Sequence, residues 1–103
     1  MEASNGMNQP NNNQPLQIKA SDDELKGNYA NMAQVSHNGE EFVLDFINVM
    51  PPAGMLVSRV IVSPSHAKRL AAALQENIKA YESKFGTISL AVVPDQQIGF
   101  QTE

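Results

Sequence analysis

The segment Ser63 to Gly86, SPSHAKRLAAALQENIKAYESKFG, constrains the fold more than any other part of the chain. A Ser hydroxyl ahead of Pro64 starts a helix, because Ser accepts a bond from an orphaned N–H and proline in the first helical position has no N–H to lose. Behind that start, Ala67, Leu70, Ala71, Leu74, Ile78, Tyr81 and Phe85 fall within about 100° of arc on a 3.6-residue wheel. Gly86 then stands where a helix ends. The pattern predicts one long amphipathic helix whose stripe needs a sheet or another helix to cover it.

The strand pattern lies upstream. Gly27 to His37 and Glu40 to Met50 read as strands joined by Asn38-Gly39, the dipeptide suited to a type I′ hairpin because both residues tolerate positive φ. Pro51-Pro52-Ala53-Gly54 ends the second run, and Leu56 to Val62 is a further β-branched run. Leu16, Ile18 and Ala20 alternate with Gln17 and Lys19, which predicts a short first strand before an acidic turn at Ser21 to Glu24. Ile88, Leu90, Val92 and Val93 form a short apolar run that suits a last strand.

The expected organisation is an Asn-rich disordered tail over 1–15, a single α+β domain over 16–88 and a C-terminal tail over 89–103. The tail at the N-terminus has too few apolar residues to offset the entropy of ordering. The expected fold is an antiparallel meander of about four strands, with the long C-terminal helix packed on one face and a homodimer formed through the other.

Composition excludes several classes. The chain has 103 residues and no cysteine, so roughly 75 residues remain for a core, with neither a disulfide framework nor a thiolate zinc site. No apolar run approaches the ~20 residues that cross a bilayer. The N-terminus has neither the basic nor the apolar region of an export signal, so a cytoplasmic protein is expected. A net charge of −4 argues against general nucleic-acid affinity.

With a two-residue loop at Asn38-Gly39, His37 lies opposite Glu40, Val35 opposite Phe42, Ala33 opposite Leu44 and Asn31 opposite Phe46. A connection centred near Pro52 sets Asp45 against Arg59. Val35, Phe42, Leu44, Phe46, Val60 and Val62 then share the helix-covered side. Met32, Val43, Ile47, Val49, Val57 and Ile61 share the other with Asp45 and Arg59, and all of these but Val49 are the expected dimer interface. The alternative is that the first strand or the C-terminal tail folds over this face within one chain, with Asp45 and Arg59 a structural cross-strand pair.

Candidate chemistry is sparse. Ser63, Ser65, His66, Lys68 and Arg69 crowd the helix start, where free N–H groups and cations suit an anion or an acidic partner segment; a solvated basic edge is the plainer reading. His37 and His66 lack metal-ligand spacing. Asp22, Asp23, Glu24, Glu40 and Glu41 sit in predicted turns without a partner to tune them, and no serine stands on a nucleophile elbow. No catalytic, cofactor or metal residues are assigned, and a non-enzyme is expected.

GNYANMAQVSHNGEEFVLDF and RVIVSPSHAKRLAAALQENIKAYESKFG resemble a small bacterial family whose domain has no assigned function. The resemblance covers about Leu16 to Ile88. It rests on Tyr29-Ala30-Asn31, Ser36-His37, Glu41-Phe42 with Asp45-Phe46, Arg59, Ser63-Pro64, His66-Ala67-Lys68-Arg69, Tyr81-Glu82 and Phe85-Gly86. A Pro-Gly pair is usual in the family where this chain has Pro51-Pro52-Ala53-Gly54. In some bacterial groups members lie beside the gene for the RNA polymerase β′ subunit. The resemblance therefore implies a cytoplasmic, non-catalytic accessory or adaptor role, with RNA polymerase as the sharpest candidate partner. A dimeric DNA-binding regulator is the alternative expectation, and a small-molecule binding module the third.

Overall fold

The computed structural model describes residues 15–91 and 98–102. Strands β1 (Met32–His37), β2 (Phe42–Met50) and β3 (Ala53–Val62) form an antiparallel meander in the order β1-β2-β3. A short helix α1 (Asp22–Lys26) precedes it and a long helix α2 (Pro64–Phe85) follows. The class is α+β as predicted, with three strands in place of four. The predicted first strand has no regular structure, and Leu16 and Ile18 are 86% and 82% exposed; alternation stabilises a strand only where a neighbouring ladder accepts it. Thr87 to Ala91 form no strand either. Val92 and Val93, and residues 1–14 of the predicted tail, lie outside the described residues.

The predicted acidic turn is instead the first turn of α1. The Ser21 hydroxyl accepts the Glu24 N–H at 3.1 Å and the Glu24 carboxylate accepts the Ser21 N–H at 2.9 Å, a reciprocal capping box. Asp22 and Asp23 add negative charge at the positive end of the helix dipole.

The β1–β2 turn falls one residue later than predicted. Asn38 and Glu41 close it through a 3.0 Å bond from the Asn38 N–H to the Glu41 carbonyl. Asn38 Oδ1 also accepts the N–H groups of Glu40 and Glu41 at 2.8 and 3.0 Å. The carboxamide thus supplies its own turn, Gly39 does not take a positive φ, and the type I′ geometry is not adopted. The register shifts accordingly: His37, not Val35, meets Phe42, their rings stacked with centroids 5.1 Å apart. The Asn31 N–H donates to the Ile47 carbonyl at 3.1 Å rather than pairing with Phe46.

The chain divides into two compact units. The first contains α1, Met32–Gln34, and Asp45–Arg59. Its centre is Ile47, 5% exposed, and Asp45, 4% exposed. Gly54 approaches closely there, since a Cβ at that position would lie 3.7 Å from methyls of both Ile47 and Val49. Asn31 joins the same unit to β2 by two bonds: its amide donates to the Val49 carbonyl at 2.9 Å, and its Oδ1 accepts the Val49 N–H at 2.8 Å. Asn31→Ala removes both, and is expected to cost about 1–2 kcal/mol, read as a lower urea midpoint at unchanged slope. An unchanged midpoint would show that water replaces the carboxamide without loss.

The second unit contains Val35–Leu44, Val60–Val62 and α2. The predicted helix termini are present. Ser63 Oγ accepts the His66 N–H at 3.1 Å, Pro64 occupies the first turn, and Gly86 leaves the helix at φ 97° with its N–H on the Glu82 carbonyl at 3.0 Å. The Glu82 carboxylate extends the cap by accepting the Ile88 N–H at 2.9 Å.

Candidate functional site

Side chains of β2 alternate between faces, so Asp45 and Ile47 share one side of the central strand. Asp45 there takes Arg59 of β3 in a two-pronged pair, Nε to Oδ1 at 2.7 Å and Nη2 to Oδ2 at 2.9 Å. The predicted pairing is present, and it is an ion pair rather than mere adjacency. The guanidinium hydrogen bonds, aided by its charge, hold the Asp45 carboxyl below the ordinary aspartate range against the opposing effect of burial. Arg59 is pushed up by the same contact. Gln34 Oε1, in the same unit, is a buried acceptor without a hydrogen-bond partner.

The seven residues expected at a sheet interface differ in exposure. Ile47 and Asp45 are buried, Met32, Val43 and Val57 are half-buried, and Arg59 and Ile61 are exposed. Five of them, Met32, Asp45, Ile47, Val57 and Arg59, belong to the first unit, whereas Val43 and Ile61 belong to the second.

At the start of α2, Ser63 Oγ is occupied by the His66 N–H and Ser65 Oγ accepts Arg69 Nη1 at 2.8 Å. Both hydroxyls are therefore used inside the helix's own first turns, and Arg69 lies back along the helix instead of reaching outward. His66 and Lys68 are exposed. Among the described residues there is no group of three or more metal-ligating side chains, and no helix is long and apolar enough to cross a membrane.

Several large apolar side chains are exposed among the described residues, Met55, Leu56, Val60 and Ile61 of β3 among them, and the stripe of α2 gathers five of them on one helix face. Its five large side chains remain 40–65% exposed: Leu70, Leu74, Ile78, Tyr81 and Phe85. Tyr81 and Phe85 lie tilted with centroids 5.0 Å apart, and the Lys84 ammonium stands 5.4 Å from the Phe85 ring. The periodicity had marked these residues as one face, and read them as core; no residue of α2 is fully buried.

The family model described as a protein of unknown function, DUF3467, matches residues 1–90. No curated protein and no solved structure matches the chain.

Proposed function

We propose that this chain, which belongs to the DUF3467 family, is a cytoplasmic, non-catalytic accessory domain that binds another polypeptide through the apolar stripe of α2. The observation that supports this is the exposure of Leu70, Leu74, Ile78, Tyr81 and Phe85 at 40–65%. Taking roughly 200 Å² for each full side chain, the stripe offers roughly 500 Å² of apolar surface, the size at which such patches mark interaction sites. Tyr81 and Phe85 supply the large, stiff contact area that interface anchors favour. Lys68 and Lys84 sit beside the stripe and give it the polar border of a binding face.

RNA polymerase is the first partner to test, on the resemblance set out above. The test is quantitative affinity capture at native expression level, comparing wild type with Leu74→Glu and with Lys68→Glu/Arg69→Glu. Leu74 is central in the stripe, so a carboxylate there is expected to weaken capture by ~30-fold or more, while the charge pair modulates it less. Capture that ignores Leu74→Glu would remove α2 from the binding surface and sink the reading.

A further inference from the structure

Resting on the reading of α2 as a protein-binding face, we propose that one occupant of the stripe is a second copy of this chain, docked antiparallel across a two-fold axis beside the middle of the helix at Glu76. The stripe is self-complementary about that point. Ala67 and Phe85 stand nine residues before and after Glu76, Ala71 and Tyr81 five before and after, and Leu74 and Ile78 two before and after. Turning one helix over its partner sets Phe85 against Ala67 at each end of the seam, lays Tyr81 beside Leu70 of the other copy on one flank, and brings the Leu74 and Ile78 side chains of both copies together about the axis. This is the small-against-large packing that lets helix surfaces interdigitate. An isologous interface needs one patch that fits itself, and of the seven stripe residues all but Leu70 have a stripe residue at the mirrored position about Glu76.

Charge agrees with the same arrangement. Glu76 points away from the stripe on a 3.6-residue wheel, so the two copies do not confront like charges at the axis. Lys68 and Glu82 lie on one flank, eight residues before and six after the midpoint. The rotation brings them within ~3 Å of the same level along the helix axis, twice per dimer. The area is sufficient too: two stripes contribute about 1,000 Å² of apolar surface before their alanines and side-chain stems are counted, which reaches the threshold for a specific interface.

Two measurements test it together. Light scattering at about 50 μM is expected to give twice the 11.2 kDa chain mass. The natural chain has no cysteine, so Ala67→Cys/Phe85→Cys introduces the only thiols. Those positions are ~27 Å apart along one helix, far beyond disulfide reach within a chain. Oxidation is expected to yield a covalent dimer in the double variant and in neither single variant. A mass near 11.2 kDa, or cross-linking of Ala67→Cys alone, overturns the antiparallel dimer. A monomer whose partner capture is still lost on Leu74→Glu rejects only the second copy and leaves the adaptor reading standing. The specific cross-link without capture of any other protein keeps the second copy and rejects the adaptor.

Discussion

Replacing Ile47 with Ala is expected to lower stability by about 3 kcal/mol and the melting temperature by about 15 °C. Ile47 is the one buried apolar residue among the described residues, at 5% exposure. Its removal subtracts transfer free energy and leaves a cavity beside Gly54, which has no side chain to collapse into it. For a domain of this size that is a large share of the total, since folded chains are stable by only about 5–15 kcal/mol. The loss should be the same at every protein concentration, unlike the effect of a change in the α2 stripe, which should depend on concentration if a second copy covers it. Gly54→Ala is the companion control. A methyl there meets Ile47 and Val49 at an ordinary 3.7 Å and Gly54 is not at positive φ, so alone it should be neutral or slightly stabilising; combined with Ile47→Ala it should recover part of the loss. Thermal and urea unfolding of the three variants decide the matter. A cost below about 1 kcal/mol for Ile47→Ala would mean that this residue is not the centre of its unit.

What the sequence discloses here is what is decided within a few residues. Ser63, Pro64 and Gly86 bound α2 because caps are local hydrogen-bond and backbone preferences, and the structure has them in place. Asp45 and Arg59 were legible for a related reason: the proline turn between β2 and β3 sets a register, and opposite charges on one face complete it. Asn38-Gly39 shows the limit of dipeptide reasoning. The same Asn that tolerates positive φ also carries a carboxamide able to accept two backbone N–H groups, and in this chain that second property wins. The capping signature of α1 is present in Ser21 and Glu24, but a five-residue helix is shorter than any apolar period that would reveal it. The Leu16–Ala20 run and the α2 stripe differ in kind. Periodicity says which residues share a face, whereas what covers that face is a long-range outcome. Leu16 and Leu74 are equally apolar, and neither pattern could foretell that both would remain exposed.

The Asp45–Arg59 pair has a pH signature. Asp45→Asn keeps size and shape but can offer the guanidinium only one acceptor, and turns an amide toward the second prong. At pH 7 the melting temperature is expected to fall by about 5–10 °C. A larger loss would require both charges to be sealed from water, whereas the Arg59 side chain is 49% exposed and can rehydrate. The folded carboxyl is held below the ordinary value of 3.8 by the Arg59 hydrogen bonds. A depressed acid contributes its stability above its unfolded value and forfeits it as pH falls through the folded one. The difference between wild type and Asp45→Asn should therefore be constant from neutral pH down to about pH 4, and close only in more acidic solution, where the wild type protonates and loses its own pair. Glu24 is lowered as well, by its bonds to Ser21, but that loss is common to both proteins and cancels in the difference. Added salt should change the gap little, because ions screen a contact pair across a buried carboxylate far less than an exposed one. A gap that persists unchanged to pH 2 would show that the carboxyl is not depressed in the folded state and that the shape at position 45, not its charge, carries the contribution.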